Sequence, residues 1–537
     1  MNVRQAAAVA CDRPCVVVRA GAGSGKTRVL TERALRAVRE DVRDVTMCTF
    51  TNAAAREMAL RMGSNGGHVV SGTIHSLAAR MLRRLPARLP EGVGIDFRVA
   101  DGRTVRMAAE GSDGRDVQGE IHRSNMLTYD DIFDLALAAV RAGDVPEPGL
   151  LLFDEAQDAT GPEWEFVRLL AGRRFVVADS AQSIYGWRGG RPEEFVREGV
   201  AARADGAAFR LPVNYRSTPE ILAVANAVPT PWRIGLEAHR ASGVPVRRLD
   251  GVPIRDVVAG IVRERACRPE DVALIGRTKA VLRWAAADLD AAGMPWRSPS
   301  LADDEWESAS ALVAICAAHV AADPHDSLHL RPLLVEAGWS DLDLARADLG
   351  RARARTSLWG WAMSEGGDRG AALAGLRGVS HDHADDAVRS VLSDVMGWAA
   401  AGHRRAVDLI GAWRVGMAPA EGTAPADFLR WLSDPQREDV DVNGHGGGPL
   451  LTTVHGAKGR EWPHVVVLGL EDGVFPLTRA IHEDALEEER RLFYVAVTRA
   501  MDSLSLHVGA EERDWRGRPS RSGRPVHVSR FLEEVGR

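Results

Sequence analysis

Short runs of apolar and β-branched residues, each ending in polar residues and followed by a helical period, recur along this chain. Val16-Val17-Val18-Arg19-Ala20 runs into a glycine-rich loop, and Arg28 to Val38 then repeats apolar residues at helical spacing. Val45 to Phe50 precedes a second helical stretch, Ala53 to Met62. Leu150-Leu151-Leu152-Phe153 ends in Asp154-Glu155, and Phe175-Val176-Val177-Ala178 ends in Asp179. Near-continuous apolar strands alternating with helices predict a parallel sheet covered on both faces. Ligands of such sheets sit at the carboxyl ends of the strands, where these polar residues cluster.

A second set of the same kind follows: Val272-Ala273-Leu274-Ile275, Val465-Val466-Val467-Leu468 and Leu504-Ser505-Leu506-His507-Val508. The stretch from Pro324 to Gly444 differs. It is rich in Ala, Leu, Trp and Asp at helical spacing and ends in Asn443-Gly444-His445-Gly446-Gly447-Gly448-Pro449, a flexible connector. A helical insertion into the second α/β domain is expected there. Arg83 to Ser124, rich in Pro, Gly and Arg without a long apolar period, reads as a small insertion into the first.

Composition bounds the class without choosing the chemistry. A chain of 537 residues is too long for one core and predicts two to four domains. No apolar run reaches the roughly 18–20 residues of a membrane helix. Met1-Asn2-Val3-Arg4-Gln5 lacks a signal-peptide core, so a cytoplasmic protein with no membrane partner is expected. The five cysteines form no CxxC pair and indicate neither a disulfide framework nor a zinc site. A net charge of −6 argues against coating nucleic acid non-specifically, but does not exclude a local basic groove.

Lysine is the compositional oddity. Of 68 lysines and arginines, only Lys26, Lys279 and Lys458 are lysine. Lys26 closes Ala20-Gly21-Ala22-Gly23-Ser24-Gly25-Lys26-Thr27, a phosphate-binding loop between a strand and a helix. There backbone N–H groups point at phosphate oxygens, a compact ammonium reaches between phosphates and the Thr27 hydroxyl is placed for Mg²⁺. The strict pattern has glycine where this chain has Ala20. Asp154-Glu155, after an apolar strand, supplies the matching acidic pair. Asp154 would hold Mg²⁺, and Glu155 would orient and deprotonate an attacking water.

The segment Val176 to Gly190, with Gln182-Ser183-Ile184-Tyr185-Gly186-Trp187-Arg188, resembles the third motif of UvrD/Rep/PcrA-like superfamily 1 DNA helicases. Further matches follow in order. Asn2 and Gln5 resemble the adenine-reading Q motif, Thr49 to Met58 motif Ia, and Gly72 to Ser76 motif Ib. Leu211 to Ser217 resembles motif IV, Thr453 to Trp462 motif V, and Glu487 to Ala500 motif VI.

The resemblance implies an α/β fold with two RecA-like P-loop NTPase domains, each a parallel sheet flanked by helices and carrying an inserted subdomain. Residues 1–83 and 126–211 would form the first domain and 84–125 its reduced insertion. Residues 212–323 and 446–537 would form the second, interrupted by a mainly helical insertion over 324–445. ATP and Mg²⁺ are the implied cofactors. Carried over by position, Gln5 would read adenine between Arg28 and Tyr215, Glu461 would contact ribose, Gln182 would sense the γ-phosphate, and Arg216 and Arg499 would act as arginine fingers. Phe50, Tyr185 and Trp187 would line a single-strand track, with Thr51, Asn52, Thr73, His75 and Arg188 beside it. His455 and Lys458 of motif V would link DNA contact to the ATP site. Core packing is the alternative for Phe50, and surface charge the better reading of Lys279.

The chain departs from the family pattern in its insertions. The first is short. The second has Val335-Glu336-Ala337-Gly338-Trp339-Ser340 where relatives carry a Gly-Ile-Gly hairpin that grips duplex DNA. No nuclease motif follows motif VI. The implied activity is ATP-dependent 3′→5′ translocation on single-stranded DNA with strand separation. Its partners would be single strands, junctions with duplex, and repair, replication or recombination proteins, and the chain itself is expected to be a monomer. The reduced insertions leave two alternatives: a translocase that displaces proteins with little unwinding, and a non-enzymatic DNA-binding scaffold.

Overall fold

The computed structural model describes residues 1–50, 52–62, 69–100, 102–111, 116–298, 300–301, 309–323, 326–336, 384, 388, 410–411, 414, 424–432, 447–482, 485–510 and 526–536. The chain divides into two compact units. One comprises Met1–Leu77, Val140–Leu301 and His445–Arg537, and the other Ala78–Ala139 and Ala302–Gly444.

The strands in chain order begin with β1 (Cys15–Ala20), β2 (Val45–Thr49) and β3 (Val69–Thr73). Next come the short β4 (Arg98–Ala100) and β5 (Met126–Thr128), then β6 (Leu150–Phe153), β7 (Arg174–Ala178) and β8 (Ala208–Leu211). After β9 (Val213–Asn214) and β10 (Glu237–Ala238) follow β11 (Arg247–Asp250), β12 (Val272–Gly276), β13 (Leu450–Thr453), β14 (Trp462–Val467) and β15 (Ala500–Val508).

Among the described residues the first unit contains two large parallel sheets, ordered β3-β2-β6-β7-β1-β8 and β11-β15-β14-β12-β13, and the two-stranded parallel pair β10-β9. Their central strands are the apolar runs visible in the sequence. Val16, Val17 and Val18 are at most 2% exposed, as are Phe175 to Ala178 and Val465 to Val467. Each such side chain contributes about 1.5–3 kcal/mol by leaving water. Within these two large sheets the strands without a legible apolar run, β3, β8, β11 and β13, are all edge strands. They are short, and β3, β8 and β11 are only partly buried, so no continuous hydrophobic stretch marks them.

Local signals set the helix starts. Gly25 caps Lys26–Arg39 with φ 78°, a left-handed conformation that costs glycine little. Asn2 and Gln5 form a reciprocal capping box on Val3–Ala10, and Thr160 with Glu163 does the same for Gly161–Leu170. Ala20, the departure from the strict loop pattern, is the last residue of β1, fully buried and paired to Leu211. Its methyl packs in the sheet and leaves the loop's glycines at Gly21, Gly23 and Gly25.

The second unit unites the two insertions, bringing together residues as far apart in sequence as Arg98 and Asp326, 228 positions. β4 and β5 pair in parallel, beside helices Gly102–Gly111 and Val117–Arg123. A small core of Ala100, Ala108, Ile121 and Met126 takes in Leu328 from the second insertion. Helix Ala309–Ala322 belongs here as well, against helices Ser327–Glu336 and Pro425–Leu432. The composition shift at Pro324 had left it with the second α/β domain. Its near-unbroken apolar surface calls for burial, and the helical unit buries most of it, with Leu312 and Val313 half-buried and Ala322 exposed.

His319, Asp326 and His329 offer ligand atoms within 4.8 Å of one another. The two imidazoles stack at 3.6 Å with planes 3° apart, so their lone pairs lie in separate parallel planes and do not converge on one ion. Asp326 already accepts from Arg98 at 2.9 Å and lies 2.7 Å from Nδ1 of His329. The cluster is a carboxylate clamp that fastens one insertion to the other. Burial alone would raise the Asp326 carboxyl, but His329 and Arg98 hold it well below the usual carboxylate range. Asp326→Ala removes the carboxylate that His329 and Arg98 share, leaving Arg98 paired with Asp323 at 3.2 Å, and is expected to cost about 1–3 kcal/mol. Hydrogen exchange should accelerate in residues 98–100 and 326–336, and unchanged protection there would contradict the clamp.

Candidate functional site

The phosphate-type loop, the acidic pair at the end of β6 and the segment after β7 open into one cleft of about 490 Å³. Gly23, Ser24, Gly25, Lys26, Thr27 and Arg28 line one side, with Glu155 and Gln182. Tyr215, Arg216, Gly459, Glu461, Arg499 and Met501 line the other. All five residues expected to carry chemistry, Lys26, Glu155, Gln182, Arg216 and Arg499, therefore meet in one place.

Geometry fixes each of them. Lys26 starts its helix with Nζ 4.0 Å from Glu155. Glu155 has φ 52°, an uncommon conformation for a residue with a side chain, of the kind functional sites retain. Burial raises its carboxyl, but Lys26, then Lys458, then a hydrogen bond from Gln157 overcome this and bring it down to about 2. Glu155 is a carboxylate throughout the physiological range. Asp154, 2% exposed, accepts the Glu155 N–H at 2.9 Å. Gln182 donates to Asp179 at 2.7 Å and accepts from Arg499 at 2.9 Å.

Arg499 is 2% exposed, and its other guanidinium bonds go to the carbonyls of Val495 and Arg460 and to the Thr498 hydroxyl. Its acceptors are thus neutral oxygens. Burial and the neighbouring Arg216 push its pKa down to about 9, so it stays cationic near neutrality with its charge incompletely compensated. A group in that state is suited to an incoming anion. Arg216 pairs with Glu461 and donates to the Thr498 carbonyl at 3.1 Å.

The residues expected around a purine base form a linked wall. Asn2 donates to the Tyr215 hydroxyl at 2.8 Å, and Tyr215 N–H donates to the Gly23 carbonyl at 2.9 Å. Gln5 is 2% exposed and donates to the Ser24 carbonyl at 2.9 Å while accepting from Asn2 N–H at 2.8 Å. Asn2, Gln5, Gly21 and Ala22 therefore shape the loop from behind instead of lining the cleft. A Cβ on Gly23 would stand 2.6 Å from Asn214, so the close approach there requires glycine.

The expected strand-track residues divide. Trp187 is 70% exposed, with Arg188 exposed beside it. Phe50 is half-buried, its ring 6.0 Å from that of core Phe153. The Thr73 hydroxyl accepts from Ser76 N–H at 3.1 Å and so caps the helix that carries His75. His455 is mostly buried, and burial together with Arg277 lowers it to about 4, so it is neutral at physiological pH. Thr51 and the side chain of Asn52 lie outside the described residues, as does 337–340 of the segment expected near the duplex-gripping hairpin.

Lys458, expected to link DNA contact to the ATP site, is 6% exposed, paired with Asp158, and donates to the Gln182 carbonyl at 3.0 Å. Its charge is spent inside the protein. Burial and Glu155 push Asp158 up to about 6 against the pull of Lys458, which leaves the pair ionised at neutral pH.

Residues 1–135 and 147–199 match the UvrD/REP helicase N-terminal domain, and residues 438–510 the UvrD-like helicase C-terminal domain. DNA helicase II of Escherichia coli is 28% identical across 100% of this chain and 87% of its own length. ATP-dependent DNA helicase Rep of Salmonella typhimurium is 27% identical over 95% of this chain and 91% of its own. ATP-dependent DNA helicase PcrA of Leuconostoc citreum is 27% identical over 100% and 84%.

Both domain models of UvrD/Rep-type helicases match this chain, in order.

Several functional contacts of this UvrD/Rep-type chain were not singled out in its sequence. Asn214 donates to the Ala22 carbonyl at 2.8 Å and accepts from Arg216 and Ser217 N–H groups, so it fixes the turn that aims Arg216. Ser217 donates to the Ala500 carbonyl at 2.6 Å. Both fall inside the motif IV match, where chemistry drew attention to their neighbours. Arg61 lines the cleft from helix Asn52–Met62, and among 65 arginines nothing marks it. Among the described residues no helix is long and apolar enough to cross a membrane.

The buried pair gives a test. Lys458→Met leaves Asp158 buried and unpaired, which is expected to cost about 3–5 kcal/mol at pH 8. Without Lys458, burial and Glu155 raise the folded Asp158 carboxyl further above the ordinary carboxylate value, so protonation relieves the buried charge as pH falls. The deficit should therefore shrink at pH 5.5, and denaturant unfolding at the two pH values checks it.

Proposed function

We propose that this protein is an ATP-dependent DNA helicase that translocates 3′→5′ on single-stranded DNA. The observation that supports this most is the cleft in which Lys26, Glu155 and Gln182, each following a strand of the first sheet, face Arg499, just before β15 of the second, and Arg216, which donates to the Thr498 carbonyl. Similarity to proteins named as ATP-dependent DNA helicases over nearly the whole chain supports the same reading, and the motif resemblance supports the polarity.

Lys26 and the loop N–H groups bind the phosphates of the nucleotide, while Tyr215 and Arg28 flank its base. Glu155, ionised and positioned by Gln157, accepts the proton of the attacking water. Arg216 and Arg499 reach the transferred phosphoryl group from the opposite side, and Gln182, bonded to Arg499, reports its presence to the second sheet. The Thr27 hydroxyl and the Asp154 carboxylate are the hard oxygen donors that Mg²⁺ takes, so the donor set fits that ion. When bound there, Mg²⁺ neutralises charge on the β- and γ-phosphates.

Coupling to DNA follows from connectivity. Gln182 lies three residues before Tyr185 and five before Trp187, so a shift at the phosphate end moves the exposed aromatic directly. Base stacking on such a platform is worth about 1–3 kcal/mol per base whatever the sequence.

A second reading retains the motor and drops strand separation, and the shortness of the first insertion favours it. Substrates with 3′ or 5′ single-stranded tails, forked duplexes and streptavidin-blocked strands separate the readings and test the polarity. Unwinding from 3′ tails supports the helicase, whereas streptavidin displacement without unwinding supports the translocase.

DNA-stimulated ATP hydrolysis should disappear in Lys26→Ala and fall by about 10³-fold or more in Arg499→Ala. Normal turnover in Lys26→Ala would overturn the assignment. Trp187→Ala should weaken single-strand binding by at least about fivefold, measured by anisotropy with a labelled oligo-dT.

A further inference from the structure

The short parallel pair β9–β10 takes no part in the chemistry above, yet it ends beside the turn that carries Tyr215 and Arg216. His239, the residue after β10, continues the pairing by donating its N–H to the Asn214 carbonyl at 3.0 Å. Arg240 follows. One terminal nitrogen of its guanidinium donates to the Arg216 carbonyl at 2.7 Å and to the Met501 carbonyl at 3.0 Å. The other donates to the Asp502 carboxylate at 2.6 Å.

These three acceptors belong to two segments, and each segment bears one arginine of the cleft. Arg216 is itself one acceptor, and Arg499 stands two residues before Met501. The segments also meet where Ser217 donates to the Ala500 carbonyl and Thr218 N–H to the Met501 carbonyl at 3.3 Å. Arg240 adds a cation to that seam, and hydrogen bonds from a charged donor are roughly twice as strong as neutral ones. Asn214 accepts the Arg216 N–H at 2.9 Å, so with Arg240 on the carbonyl both peptide groups flanking the Arg216 Cα are held.

The neighbouring cleft residues have anchors of their own. Arg499 is bonded to Val495, Arg460, Thr498 and Gln182. Tyr215 is fixed by its N–H on the Gly23 carbonyl and its hydroxyl on Asn2. Arg216 is the cleft residue whose own backbone Arg240 grips.

We propose that Arg240 is a positioning residue for phosphoryl transfer: it ties the Arg216 backbone to the start of β15 and so sets the spacing between the two arginines that reach the transferred group. This rests on the motor reading above and adds to it a residue outside the matched motifs that does not line the cleft. A guanidinium suits the task because its planar fork offers separate nitrogens to separate segments, whereas an ammonium presents one point. A misplacement of about 1 Å caused away from the chemistry can cost about 10²-fold in rate.

The experiment measures ATP turnover with saturating oligo-dT in Arg240→Met, Arg240→Lys, Asp502→Asn, Arg216→Ala and the double variant Arg216→Ala/Arg240→Met. Arg240→Met should lower kcat about ten- to hundredfold while KM for ATP stays within about threefold. Arg240→Lys keeps the cation and should recover part of the loss. Asp502→Asn leaves both carbonyl bonds in place and should stay within about threefold of the unaltered chain. Because Arg240 acts through Arg216, its loss should change turnover by less than about twofold once Arg216 is alanine.

If Arg240→Met does not fold, Arg240→Lys is read in both backgrounds. Turnover should then fall about fivefold with Arg216 present, and by less than about twofold without it. The inference is overturned if losing Arg240 costs the same factor with and without Arg216, or if KM rises while kcat holds. Full turnover in Arg240→Met overturns it too. Normal turnover in Arg216→Ala, or no ATP hydrolysis by the unaltered chain, would instead refute the motor reading, and this inference with it.

Discussion

Two buried cations from the second sheet, Lys458 and Arg499, converge on Gln182 of the first, one at its backbone carbonyl and one at its side-chain oxygen. The rest of the site depends on this seam. Removing an ammonium and a guanidinium from water is expensive, and that cost is offset only if acceptors are already in position. Asp158 supplies full counter-charge to Lys458, while Arg499 finds only neutral oxygens among its hydrogen-bond acceptors. The seam is therefore asymmetric: one cation is locked and the other is held at a cost that an anion in the cleft would relieve.

That asymmetry separates two tasks that would conflict in a single residue. A fully compensated pair ties Lys458 of one sheet to Asp158 of the other with its charge already matched. An under-compensated guanidinium keeps charge to offer an anion in the cleft. Arg216 stands between these cases, since Glu461 neutralises it in this conformation. The left-handed Glu155 and the close approach of Asn214 to Gly23 show the same preference for geometry over ease of folding.

The second unit is a different physical solution. The five buried residues of their shared cluster come from both segments, and the Arg98–Asp326 contact closes over them. Two short insertions become one body by burying a carboxylate with its cation and two imidazoles. What composition described as a Pro/Gly/Arg-rich stretch is stabilised by a partner more than 200 residues away.

The sequence by itself determined the parts whose physics is local. Central strands announce themselves because burial on both faces demands unbroken apolar runs, and the phosphate-type loop does so because backbone approach demands glycines next to one lysine. Ordered motifs carried the family assignment and brought five residues, from Lys26 to Arg499, to what proved to be one cleft. The tertiary structure alone decided the rest. Edge strands such as β11 lack a continuous apolar signature, helix Ala309–Ala322 is placed by whatever surrounds it, and Arg61 is one arginine among many until the fold points it into the cleft. Above all, Lys458 could be recognised as special from its rarity but not assigned its partner. Burial and Asp158 decide that, and both are properties of chain segments 300 residues apart that only the folded protein brings together.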